Sequence, residues 1–122
     1  MNIAIIPARG GSTRIKNKNF KYFFGKPIIS YSITTALNSN LFSEVIVSTD
    51  NEKLIYVSKK AGAKVFFKRP NYLSKNNIPV IDVVSHAIKE LKKNNFEPTN
   101  VCCIFPVSPL LTKEMLIKGL RY

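Results

Sequence analysis

The sequence predicts an α/β protein with a mostly parallel sheet, and three observations carry that expectation. Four short apolar runs, at residues 2–7, 44–48, 64–67 and 101–105, are continuous rather than alternating, as strands covered on both faces are. Stretches with helical spacing follow the runs, giving the order β-α-β-α-β-α-β-α. The segments between the runs are too long for hairpins, and strands joined by helical crossovers lie parallel.

The first run, Ile3-Ala4-Ile5-Ile6, stops at Pro7 and passes into a glycine-bearing basic loop that ends near Asn19. Aromatic residues at 20–24 are then broken by Gly25-Lys26-Pro27, with Pro27 placed to open a helix running to about Asn38. In that helix Ile29, Ile33, Ala36 and Leu37 share one face, while Ser30, Ser32 and Thr34 are expected to face away. The second run, Glu44-Val45-Ile46-Val47-Ser48, is closed by Thr49-Asp50-Asn51, whose side chains can cap a helix over 52–61; for Asp50 capping is the favoured role. Leu54, Val57 and Ala61 make its inner stripe, and Gly62 suits a left-handed C-terminal cap. A third strand over 64–67 gives way to Lys68-Arg69-Pro70. In the third helix Val80, Val84, Ala87, Ile88 and Leu91 share a face. The fourth strand runs into Pro106-Val107-Ser108-Pro109, and a last helix is expected from Thr112.

At 122 residues the chain suits one domain, residues 1–122. Its 19 Lys+Arg against 7 Asp+Glu give a formal charge of +12, which raises nucleic acid, an anionic membrane surface or a polyanionic small molecule as partner. Part of the excess is surface composition on helix faces, as at Lys59-Lys60 and Lys92-Lys93. The opening segment differs, because Arg9, Arg14, Lys16, Lys18, Lys21 and Lys26 all precede the first acid, Glu44. No apolar run approaches the ~20 residues of a membrane span. The first residues lack the basic start of a signal peptide, so a cytoplasmic location is expected. Cys102 and Cys103 would point to opposite faces of a strand and are expected to be buried, reduced thiols. One histidine and no clustered cysteines argue against zinc, and His86 reads as a packing or surface residue.

In parallel sheets ligands sit beyond the carboxyl ends of the strands. Those ends carry residues 8–12, 48–50, 68–70 and 105–108, the most chemically loaded stretches of the chain. The loop after the first strand is neither GxxxxGK[ST] nor GxGxxG. Its adjacent glycines, hydroxyls and unneutralised cations still suit a phosphate group.

IIPARGGS-TRIKNKN, followed by FGKPIISYSI, VIVSTDNE, GAKV with KRP, and a strand entering PVSPLL, resembles the nonulosonic acid cytidylyltransferases, the CMP-sialic acid synthetase group. RIKNKN, the paired cysteines and KRP look most like its pseudaminic and legionaminic acid branch. The resemblance covers essentially the whole chain and implies a three-layer, Rossmann-like nucleotide-diphospho-sugar transferase fold. It implies attack of the sugar's anomeric hydroxyl on the α-phosphate of CTP, giving a CMP-sugar and pyrophosphate. By the same resemblance Arg9 and Lys18 would hold the triphosphate as the catalytic cations. Ala8, Gly10, Gly11 and Ser12 would complete the cradle, Asn19 would reach the nucleotide, and Arg69 would stand at the pocket edge. Phe105 and Ser108 would meet the nonulosonic acid, with Phe105 replacing a glutamine of the neuraminic branch. Thr13 and Lys16 stand where many relatives have lysine and proline.

Longer members of the group carry a second half with paired aspartates for Mg²⁺ and a dimerisation arm. The resemblance therefore implies Mg²⁺ ligands outside these residues, a homodimer for full-length relatives, and a chain that is the amino-terminal half of a longer enzyme. Two other readings stay open: a non-catalytic nucleotide- or nucleic-acid-binding module, and another sugar nucleotidyltransferase.

Overall fold

The structure is a computed structural model that describes residues 2–8, 22–23, 25–73 and 78–106. Its elements are β1 (Asn2–Pro7), β2 (Tyr22–Phe23), β3 (Lys26–Pro27), α1 (Ile28–Asn38), β4 (Glu44–Ser48), α2 (Glu52–Lys60), α3 (Val80–Lys93) and β5 (Asn100–Cys103). The expected helix from Thr112 lies outside the described residues.

Among the described residues the main sheet has the order β4-β1-β5, with both pairings parallel. Ile5 stands opposite Ile46 on one side and Cys103 on the other, so β1 is the central strand. Its alternation sorts the core into two layers. Ala4, Ile6 and Ala8 join Ile29, Ile33, Ala36 and Leu54 from α1 and α2. Ile3, Ile5 and Ile46 meet Ala87 and Leu91 from α3 on the opposite face. The predicted three-layer α/β/α arrangement follows, since an apolar run buried on both sides needs a helical cover on each.

The expected third strand contracts to a single parallel bridge between Ile46 and Lys64. Lys64 exchanges two backbone bonds with β4, to the Val45 carbonyl at 2.9 Å and from the Val47 amide at 3.0 Å. Beyond it Phe66 and Phe67 turn to ring contacts with Phe96 and His86, each at 5.2 Å between centroids. With this bridge outside β4, the chain steps outward from β1 through β4 and then returns past β1 to form β5. That reversal is the topological switch point of doubly wound sheets, and it lies between β1 and β5.

Three side-chain expectations need correction. In α1 Ile29, Ile33 and Ala36 are buried and Thr34 is exposed as expected, but Ser30 and Ser32 are buried and Leu37 is exposed. The serines tolerate burial because their hydroxyls are satisfied; Ser30 Oγ donates to the Pro27 carbonyl at 2.6 Å. In α3 the deepest residues are Val83, Ala87 and Leu91, and Val80 is exposed in the first turn. Cys102 is half-buried and Cys103 exposed, because β5 is an edge among the described strands. Partial burial still pushes both thiols up from the ordinary value, and for Cys103 the neighbouring Cys102 adds to the effect.

Helix α2 is closed at both ends. Its N-cap is Asn51 rather than Asp50, with Oδ1 accepting from the Lys53 and Leu54 amides at 2.9 and 3.1 Å. At the other end Gly62 has φ +107°, and the Gly62 and Ala63 amides donate to the Lys59 and Ser58 carbonyls, both at 3.0 Å. This is the Schellman closure that needs a left-handed residue. A Cβ on Gly62 would also stand 2.8 Å from Leu37 Cδ1. No described helix is long and apolar enough to cross a membrane.

Candidate functional site

The carboxyl ends of the three strands converge at the switch point, and each exit is held in a different way. At the exit of β1, Ala8 is fully buried and its amide donates to the Ser48 carbonyl at 2.9 Å. The small side chain permits that approach under α1. Ala8 is thus tied to the end of β4 by a ladder bond.

At the exit of β4, Ser48 and Thr49 are both fully buried. Thr49 Oγ1 accepts from the Asn51 amide at 3.2 Å, tying the strand end to the start of α2. Arg69 closes the same corner from the other side. Its amide donates to the Thr49 carbonyl at 2.8 Å, and its guanidinium reaches the Ser48 carbonyl (Nη2, 2.7 Å), Ser48 Oγ (Nε, 3.3 Å) and the Leu73 carbonyl (Nη1, 3.5 Å). Only 5% of Arg69 is exposed, so a permanent positive charge is embedded beside the exit of β1. The 3₁₀ turn at Asn71–Leu73 is held to β4 by this side chain.

At the exit of β5, the Ile104 amide donates to the Ile5 carbonyl at 3.0 Å, the last link to the sheet. Phe105 follows and is 58% exposed, a large apolar side chain presented to solvent at a strand end. Its carbonyl and that of Pro106 accept from Ser32 Oγ of α1 at 3.0 and 3.2 Å.

Of the residues expected at the site, Ala8 and Arg69 come together directly on the Ser48 carbonyl, and Phe105 stands at the neighbouring exit across the switch point. Arg9, Gly10, Gly11, Ser12, Lys18, Asn19 and Ser108 lie outside the described residues. Sequence reasoning placed Thr49 in the polar run after β4 but missed Ser32, because a serine inside a helix carries no local sign of a partner 73 residues away. A cavity of about 460 Å³ lies between α1 and α2, lined by Lys26, Ser30, Tyr56 and Lys60 among others. None of the expected site residues lines it, so it is separate from the strand exits.

Comparison with known proteins gives four findings. The family model described as Cytidylyltransferase matches residues 3–122. The pseudaminic acid cytidylyltransferase of Campylobacter jejuni is 49% identical over 115 residues, which is 94% of this chain and 50% of that protein. The CMP-N,N'-diacetyllegionaminic acid synthase of the same species is 40% identical over 86 residues, 70% of this chain and 37% of that protein. Among solved structures, CMP:2-keto-3-deoxy-manno-octonic acid synthetase complexed with CTP superposes with a TM-score of 0.77 at 23% identity, covering 98% of this chain and 47% of that one. At that identity the likeness establishes the fold, Rossmann-like and α/β. The chain spans half the length of the Campylobacter pseudaminic acid enzyme.

Proposed function

The chain belongs to the cytidylyltransferase family, and from that premise we propose that it binds CTP and serves the activation of a nonulosonic acid, pseudaminic acid in particular, to the CMP-sugar. The observation that carries this reading is the 49% identity to a pseudaminic acid cytidylyltransferase over 94% of the chain. Identity to the legionaminic acid synthase is lower, 40% over a shorter stretch.

In this reading the anomeric hydroxyl of the sugar attacks the α-phosphorus of CTP and gives up its proton to solvent, one P–O bond forms, and the bond to pyrophosphate breaks. Such a transfer asks the protein for positioning and charge neutralisation rather than for a covalent intermediate. Arg9 and Lys18 hold the triphosphate, assisted by Ser12 and the Gly10 and Gly11 amides, with Ala8 and Asn19 beside the nucleotide. Arg69 contributes a fixed positive charge next to the exit of β1 and keeps that corner from shifting as the anion binds. Phe105 and Ser108 face the acceptor sugar.

Mg²⁺ commonly accompanies chemistry of this type. Among the described residues no group of three or more His, Cys, Asp or Glu side chains comes together. Glu44 and Glu52 are paired with Lys64 and Lys68 at 3.2 and 3.0 Å. The family resemblance puts the Mg²⁺ ligands outside this chain, so the roles proposed for its residues are binding and orientation.

The test is thermal: CTP with Mg²⁺ raises the melting temperature, UTP, GTP and ATP raise it less, and Lys18→Ala removes the shift. A melting curve unmoved by excess CTP sinks the proposal, and an equal shift with every nucleotide points to a different sugar nucleotidyltransferase.

A further inference from the structure

Among the described residues, the exit of β4 is held by Arg69 from the segment beside the sheet, and that of β5 by a side chain from the helical layer above it. Ser32 sits inside α1, is fully buried, and has one hydroxyl proton, which it shares between the Phe105 and Pro106 carbonyls at 3.0 and 3.2 Å. A serine inside a helix ordinarily satisfies itself on the carbonyl four residues back. This one reaches 73 and 74 residues along the chain instead. Its acceptors lie just beyond the last backbone link of β5 to the sheet, the Ile104 amide on the Ile5 carbonyl at 3.0 Å. Pro106 has no amide hydrogen with which to continue a ladder.

We infer that Ser32 is a positioning residue for the acceptor side of the site: its hydroxyl sets the direction in which the chain leaves β5 and so the place at which Phe105 is presented. The inference rests on the cytidylyltransferase reading above. The two sides of the switch point differ in chemistry. The exit of β1 leads into Arg9, Arg14, Lys16 and Lys18, which suit a triphosphate. The exit of β5 presents Phe105, an uncharged ring in front of the buried Pro106, which suits the C–H face of a sugar better than a triphosphate. Losing the Ser32 hydroxyl leaves two carbonyls without that donor and frees the acceptor wall to drift, while the ladder bond of Ala8 keeps the nucleotide wall in place.

The experiment compares Ser32→Ala and Ser32→Thr with the parent chain by hydrogen exchange and by calorimetric binding of CTP and of pseudaminic acid. In Ser32→Ala, exchange at the Ile104 and Phe105 amides is expected to rise about tenfold while that at Ile5 and Val47 holds. The Kd for the sugar is expected to rise about tenfold and that for CTP to stay within about twofold. Ser32→Thr, which keeps the hydroxyl, returns both readouts toward the parent values. Unchanged exchange at Ile104 and Phe105, a uniform rise across the sheet, or equal rises in both Kd values overturns the inference. A parent chain whose melting curve is unmoved by excess CTP sinks the cytidylyltransferase reading instead, and the exchange pattern then decides by itself whether Ser32 holds the β5 exit.

Discussion

Ala8 and Arg69 donate to the same atom, the carbonyl oxygen of Ser48, the first through its backbone amide at 2.9 Å and the second through Nη2 at 2.7 Å. The central strand and the segment after the Lys64 bridge are therefore joined at one acceptor, at the edge of the sheet where the basic loop begins. A carbonyl oxygen with two lone pairs can satisfy both donors.

Removing the guanidinium should cost stability as well as ligand binding. Arg69→Ala is expected to lower unfolding free energy by about 2–4 kcal/mol, because buried acceptors on Ser48 and Leu73 lose a charged donor. Arg69→Lys keeps the charge but not the planar fork and should lose about half as much. Urea denaturation of both variants checks the order; equal stability of all three proteins would show that the corner is held without the fork.

Gly62 is constrained twice, by its φ of +107° and by Leu37 Cδ1 at 2.8 Å from a would-be Cβ. Gly62→Ala should destabilise by about 1–3 kcal/mol. Adding Leu37→Ala relieves the steric part and leaves the conformational part, so the double variant should lose less than the sum of the single losses. Strict additivity in a denaturation cycle would mean that the contact with Leu37 carries no weight.

The Asn51 cap makes a prediction of opposite sign for two substitutions. Asn51→Ala removes the acceptor for two amides and should cost about 1 kcal/mol. Asn51→Asp keeps the acceptor and adds negative charge at a helix N-terminus, so its stability should match or exceed the parent's. Thermal melting at low salt separates the two.

Burial raises the thiol ionisation of Cys102 and Cys103 above the ordinary 9.0. Both thiols are neutral at physiological pH and should alkylate more slowly than free cysteine, with the exposed Cys103 reacting before Cys102. The unfolded chain ionises first as pH climbs. The thiol contribution to stability is therefore whole below 9.0 and is lost as pH passes through the higher folded-state values. Cys102→Ala should flatten that alkaline decline; an identical decline in the variant would assign it to other groups.

Much of the fold could be read from residue order because β1 and β4 are apolar on both faces and admit few other placements. Ile3-Ala4-Ile5-Ile6 and Val45-Ile46-Val47 declare a central parallel pair, and Gly62 declares a helix end. The contraction of the third strand was not legible: Val65, Phe66 and Phe67 have strand-forming side chains, but their rings find Phe96 and His86, which only the closed fold brings near. The burial of Ser32 was hidden for the same reason. Helical periodicity assigns one inner face, and α1 has a second neighbour in the chain leaving β5. At the site, the basic loop was conspicuous because charge imbalance is a property of composition. The lock between Arg69 and Ser48 was not, because it joins residues 21 apart through backbone acceptors that any sequence possesses.

The central position of β1 also sets a schedule for synthesis. Of the described strands, the one made first is the one that needs neighbours on both sides, and its second neighbour begins 98 residues later, where the Asn100 side chain meets that of Asn2 at 3.0 Å. At ribosomal rates of roughly 5–20 residues per second, the β5 edge of Ile3-Ala4-Ile5 waits on the order of 5–20 seconds for its partner. During that interval the nascent chain carries an unpaired, strongly apolar strand edge, a surface that chaperones bind and that other nascent chains can pair with.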